Sequence, residues 1–202
     1  MGDARQEKIV QISHHLEQIL KLLGLTPESD PELKQTPRRA AEFFVEMLSG
    51  DGNEVEPDLT RLDHPGDSRE IIVISRIPFY SLCVHHWLPF YGRAHIGYVP
   101  GATLVGFSSV ARIVEHFARR LQLQERLTDQ VADYLQRALA AQGVMVMLEA
   151  RHLCMEMRGR RAPGWVTTTA ARGCFQESTW REEFFARLRK QSGKHREPES
   201  CE

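Results

Sequence analysis

The sequence predicts an α+β protein built around an antiparallel sheet. Hydrophobic residues recur at helical spacing near the amino terminus, then give way to β-branched runs from Ile71 onward. The elements follow in the order two helices, two strands, two helices, two strands and one helix, which is the segregated pattern of an α+β fold. No internal repeat is present. The expected organisation is a helical region and loop over residues 1–69, an α+β domain over 70–190 and a disordered tail over 191–202.

Each element has its own signal. Ile9, Ile12, Leu16, Ile19, Leu20 and Leu23 line one face of a helix over residues 4–23, and Gly24 stands where a helix stops. Thr36 and Pro37 open a second helix, with Thr36 as cap, which runs through Phe43, Phe44, Met47 and Leu48 to Gly50. Residues 50–69 are rich in Asp, Gly and Pro and read as a loop. Ile71–Ile77 and His95–Val99 read as strands. A helix is expected over 107–122. Thr128 is read as the cap of the next helix, which ends near Ala141 with Gly143 as its stop. Val144–Ala150 and Val166–Ala171 are further strands, and Arg181–Lys190 is a terminal helix. The tail, with Cys201, is too polar to pack and reads as disordered.

Composition excludes several classes of function. The chain has 202 residues, 42 % hydrophobic and 26 % charged, with a net charge of −1. That balance offers no general attraction to nucleic acid or to an anionic membrane. There is no apolar run of membrane-spanning length, and MGDARQEK lacks the core of a signal peptide. The reading is cytoplasmic, so cysteines are expected as metal ligands or free thiols rather than bridges.

Two compact clusters carry the chemistry. Cys83, His85 and His86 lie within four residues, and His152 and Cys154 form a second group far along the chain. Cys83 and His86 have C-x-x-H spacing, and Cys154 offers a third soft ligand, leaving one position open on a tetrahedral zinc. A C-x-x-H pair is a weak signal alone, and a Cys83–Cys154 disulfide is the competing reading. His85 and His152 would then be free for proton transfer. His14 and His15 read as surface residues, His95 as a hydrogen-bonded strand residue and His116 as a helix-face residue.

A basic constellation accompanies them. Arg112, Arg119 and Arg120 share a helix that begins after Ser108 and Ser109, and Arg158, Arg160 and Arg161 follow Cys154. Isolated arginines are more often solvated than phosphate-binding, but these lie close in sequence to both clusters. Gln124 and Glu125 offer paired hydrogen-bonding groups suited to a guanine-like edge. A helix-surface role for Glu125 is equally consistent with the sequence.

The blocks SLCVHHWLPFYGRAHIGYVP, RLQLQERLTDQVAD and EARHLCMEMRG resemble the signature blocks of GTP cyclohydrolase I, over roughly Leu33 to Phe185. The resemblance implies a tunnelling fold, a four-stranded antiparallel sheet packed on two antiparallel helices, after an N-terminal helical segment. It implies a homo-oligomer, expected as a decamer of two pentameric rings, with active sites between subunits. It implies zinc on Cys83, His86 and Cys154, proton handling by His85 and His152, and a guanine edge held by Gln124 and Glu125. Ser108, Arg112 and Arg158 match phosphate-binding positions, and Arg39 is a further candidate. The implied reaction adds water at C8 of GTP, opens the imidazole ring, releases formate and closes to 7,8-dihydroneopterin triphosphate.

Departures from the family are specific. Val84 replaces a Glu, Ser109 replaces a Lys expected at the triphosphate, and Glu42 replaces another Lys. The segment with Arg160, Arg161, Ala162 and Trp165 also differs. Two other readings follow: a cyclohydrolase for a less phosphorylated guanine compound, or one stopping at a ring-opened diaminopyrimidine, and a non-catalytic guanine-nucleotide-binding paralogue.

Overall fold

A computed structural model describes residues 2–50, 57, 59–64, 70–159 and 161–194. The chain divides into two compact units, Met1–Asn53 and Glu54–Glu202. The expected tail with Cys201, most of the loop over 50–69, and Arg160 lie outside the described residues.

The first unit holds α1 (Gly2–Leu22) and α2 (Thr36–Met47). Gly24 takes φ +79, the left-handed conformation that ends α1 without a Cβ clash. In α2 the cap position falls on Gln35, and Thr36 is already helical. Ile9 and Ala41 are buried in this unit. Glu42 pairs with Arg38 one helical turn away, at 3.0 Å.

The second unit begins with β1 (Arg61–Asp63), a strand inside the segment read as loop. It is followed by β2 (Ile72–Cys83), β3 (Pro89–Val99), β4 (Thr103–Val105), α3 (Phe107–Ala118) and β5 (Leu121–Gln122). Then come α4 (Gln124–Leu139), β6 (Gly143–His152), α5 (Leu153–Glu156), β7 (Val166–Gly173), a 3-10 turn and α6 (Ser178–Lys194). β1 pairs with β4 antiparallel. The main sheet has the order β5-β2-β3-β6-β7, with β2, β3, β6 and β7 antiparallel neighbours and β5 parallel to β2. The sheet is therefore mixed and five-stranded rather than purely antiparallel and four-stranded. The residues that the periodicity assigned to the end of α3 supply the fifth strand.

Period-2 alternation gives the sheet two apolar faces. Ala94, Ile96 and Tyr98 of β3 join Val144, Val146, Leu148 and Ala150 of β6 in a cluster with Val110, Ile113, Leu127, Val131 and Leu135 of α3 and α4. The odd-numbered Val99 and Met145 face the other way, onto Phe184 and Leu188 of α6. β3 and β6 run very close at Gly92. A Cβ there would lie 1.8 Å from the carbonyl oxygen of Glu149. α4 ends at Ala140, which adopts φ 45, and Gly143 opens β6 instead of stopping the helix. Among the described residues no helix is long and apolar enough to cross a membrane.

Candidate metal centre and active site

Both sequence clusters fall at one end of the sheet, because β2 and β6 flank β3 and each reaches the site at its carboxyl end. Cys83 is the last residue of β2. The chain then reverses: the Cys83 N–H donates to Leu88 O and the Trp87 N–H donates to Cys83 O, both at 2.9 Å. Trp87 takes φ 56, a strained conformation for a residue with a side chain. This tight turn carries His85 and His86 outward, and both are exposed while Cys83 is buried.

β5 anchors that turn to the rest of the domain. Leu82 pairs with Leu121 and Cys83 with Gln122, and the Val84 N–H donates to Gln122 O at 3.0 Å. Ser81 adds a buried bond from Oγ to Ala118 O, 2.6 Å. The strand bearing the first ligand is thus tied to the end of α3 and the start of α4. Val84, where the family carries Glu, serves this pairing through its backbone.

On the other side, His152 ends β6 and Cys154 sits in the single turn of α5. Arg151 and Glu156 clip that turn with two bonds of 2.9 and 2.5 Å. The donor atoms of Cys83, His86 and Cys154 lie within 4.8 Å of one another. Tetrahedral zinc with ordinary Zn–S and Zn–N lengths sets its donors about 3.5–3.8 Å apart. A contraction on the order of 1 Å therefore completes the site, and two sulfurs with one imidazole form a borderline-soft set suited to that ion. Cys83 Sγ lies 4.0 Å from Nδ1 of both His85 and His86, so that distance alone does not separate them. It is His86 that groups with both sulfurs. Burial pushes the Cys154 thiol up, and the neighbouring Cys83 sulfur adds to the effect. A bound cation reverses this by stabilising the thiolate.

His152 is held from two sides. Its ring stacks on Phe90, its cross-strand partner, at 4.7 Å between centroids and 5° between planes. Its Nε2 meets Gln124 Oε1 at 2.7 Å. Burial lowers its pKa, against the opposing charges of Glu125 and Glu156. Gln124 is itself buried, with Nε2 reaching Leu148 O, Val166 O and Thr168 Oγ1. Thr128, expected as a cap, lies inside α4, which starts at Gln124 after an extended Leu123. Its hydroxyl donates back to Gln124 O at 2.7 Å. Phe90, Thr128 and Thr168 thus belong to the site's support and carry no motif of their own.

The remaining site residues fall into exposed and engaged groups. Glu125, Ser108, Arg112 and Arg158 are exposed, and Arg39 is exposed on α2 of the first unit. Ser109 is fully buried. Its Oγ accepts from the Thr60 N–H at 3.1 Å and from Arg112 at 3.0 Å. The position that carries Lys in the family therefore steers Arg112 and secures the segment before β1. His95 is buried, with Nε2 3.2 Å from Glu149 Oε2 but without hydrogen-bond alignment. It lies on the α6 face, away from the metal ligands.

Comparison with known proteins agrees over most of the chain. The family model for GTP cyclohydrolase I matches residues 12–189. A GTP cyclohydrolase 1 of Porphyromonas gingivalis is 41 % identical over 89 % of this chain and 93 % of its own length. One from Streptococcus thermophilus is 47 % identical over 85 % of this chain and 90 % of its own. Among solved structures, an archaeosine synthase QueF-Like in the apo form aligns at a TM-score of 0.41 and 13 % identity, over 52 % of this chain and 96 % of its own, too distant to support an argument. Matched along nearly its whole length by these relatives, the chain belongs to the GTP cyclohydrolase I family and is a hydrolase of that type.

Proposed function

We propose that the protein hydrolyses a guanine nucleotide at C8, with GTP as substrate and 7,8-dihydroneopterin triphosphate and formate as products. The observation that carries this is the convergence of Cys83, His86 and Cys154 within 4.8 Å, beside His152 and His85, in a chain matched by GTP cyclohydrolase 1 relatives. Zinc held by those three residues supplies a Lewis acid that eases hydration of the purine. Glu125, exposed at the start of α4, accepts hydrogen bonds from the guanine edge. His152 and His85 deliver and collect protons as the imidazole ring opens and formate leaves. Ser108, Arg112, Arg158 and Arg39 bind the phosphates by charge-assisted bonds. The domain that does this is a tunnelling fold, preceded in the chain by an N-terminal helical segment.

The working form is a cytoplasmic homo-oligomer, a decamer with active sites between subunits. Trp87 and Met155, each adjacent in sequence to a proposed ligand, are 55 % and 45 % exposed, and Trp165 is 64 % exposed. Apolar side chains in such places favour coverage by a neighbouring subunit. Sedimentation at micromolar protein tests this, and a monomer with full activity would rule it out.

A second reading has its own support. Ser109 is buried and Glu42 is paired with Arg38, so neither position offers a lysine to a triphosphate. Each charged hydrogen bond lost is worth about 1.5–3 kcal/mol. A guanine compound with fewer phosphates, or release of a ring-opened diaminopyrimidine, fits that loss. Incubating zinc-loaded protein with GTP, GDP, GMP and guanosine, followed by product mass, separates the two. Preference for GTP with a pterin product supports the first, and no formate from any of the four refutes both.

A further inference from the structure

We infer that Gln124 is a positioning residue for His152 rather than a contact for the guanine edge, and that it fixes the proton of the neutral His152 ring on Nε2, leaving Nδ1 as the nitrogen that exchanges protons with substrate. This rests on the reading of His152 as a proton carrier.

The argument begins with the amide. Nε2 of Gln124 faces two main-chain carbonyl oxygens, Leu148 O at 3.1 Å and Val166 O at 2.9 Å. A carbonyl oxygen only accepts. Turning the amide over would set Oε1 against both oxygens, acceptor against acceptor, with no hydrogen between them. The two threonines impose the same orientation independently. Thr128 spends its single hydroxyl proton on Gln124 O, 2.7 Å away. Thr168, 2.6 Å from Thr128, must then donate to it, which leaves its oxygen as an acceptor toward Gln124 Nε2 at 3.1 Å, the two amide hydrogens being shared among this oxygen and the two carbonyls. The bonds close into a one-way ring from the Gln124 amide through Thr168 and Thr128 back to the Gln124 main chain.

With Nε2 of the amide committed, Oε1 is the atom that meets His152 Nε2 at 2.7 Å. Oε1 has no hydrogen, so the imidazole nitrogen must carry one. A neutral imidazole has only one ring proton, so Nδ1 holds the lone pair. Phe90 stacked at 5° keeps the ring plane from tilting out of this bond. An amide cannot take up a proton at its oxygen under ordinary conditions. A proton that arrives at Nδ1 must therefore leave by Nδ1, and no relay runs onward through Gln124. Gln124 and Glu125 are adjacent on a helix and point about 100° apart. Gln124 is 1 % exposed whereas Glu125 is exposed, so Glu125 alone is left to meet a substrate from this pair.

The test uses the full-length, zinc-loaded protein without substrate. Nitrogen-15 solid-state NMR of histidine-labelled protein, with His152 assigned by its loss in His152→Asn, reads the tautomer directly. The wild type is expected to carry the proton on Nε2. Gln124→Leu is expected to give a mixture of tautomers, and Thr168→Val a smaller change in the same direction with folding preserved. In steady-state assays Gln124→Leu is expected to lower kcat about 10²-fold with the KM for GTP within about twofold. Protonation of Nδ1 in the wild type, a spectrum unmoved by both substitutions, or a KM increase with kcat intact would overturn the inference. An inactive wild type would refute the proposed reaction, while the NMR result would still decide the tautomer.

Discussion

His85 and His152, the two histidines proposed to move protons, are held in opposite ways. His152 ends a central strand, lies flat against Phe90 and hydrogen-bonds a buried amide. His85 sits exposed on a turn, and its closest described polar contact is a sulfur 4.0 Å away. One imidazole is pre-organised by its own domain before any ligand arrives. The other is exposed on its turn, with no such stacked face or buried amide against it among the described residues. Preorganisation of this kind is what holds a catalytic group within the narrow geometry that proton transfer requires.

The largest expected effect comes from removing a proposed metal ligand, on which the proposed chemistry depends whatever the order of either histidine. Cys154→Ala is expected to abolish stoichiometric zinc and reduce turnover to background, read by elemental analysis and formate release. His152→Ala is expected to keep the metal and lose about 10³-fold in kcat, within the usual range for a general acid or base. Equal metal content and equal activity in the two variants would contradict the assigned roles. His85→Gln is expected to cost less, about 10²-fold, and zinc addition should sharpen the NMR signals of His85 while leaving those of His152 unmoved. Phe90→Leu removes the stacked face but keeps most of the volume, so stability should fall by less than about 1.5 kcal/mol while kcat drops roughly tenfold.

The smallest expected effect lies on the opposite sheet face. Burial lowers the pKa of His95 against the pull of Glu149, with Arg76 and Arg93 also disfavouring its charge. The unfolded chain then binds more protons than the folded one, so stability rises with pH. Urea midpoints should fall as pH drops from about 7 through the unfolded value near 6.5 toward the lower folded pKa, and His95→Gln should flatten that slope.

The grouping of Cys83, His86 and Cys154 was legible because the donors come in tight local clusters, and the resemblance joined Cys154 to the other two. Phe90 and Thr168 were not legible as parts of the site. Phe90 meets His152 across β3 and β6, and Thr168 reaches Gln124 from β7, contacts set by register rather than by local pattern. The strand expected over Ile71–Ile77 runs on to Cys83, through Pro78, which pairs with Arg93 on one side and lies beyond the reach of the short β5 on the other. Thr128 reads as a cap because its type favours helix starts, but inside α4 its hydroxyl donates to Gln124 O one turn back and meets the Thr168 hydroxyl of β7.

The tight passage of β3 beside β6 at Gly92 has a consequence for how lesions in this enzyme should be interpreted. Gly92 lies two residues along β3 from Phe90, and its partner Ala150 lies two residues before His152. A single methyl group at that spot would wedge the two strands apart and skew the imidazole relative to the sulfurs. Gly92→Ala would then mimic an active-site defect, with soluble folded protein and failing turnover, although the altered atom never meets the nucleotide.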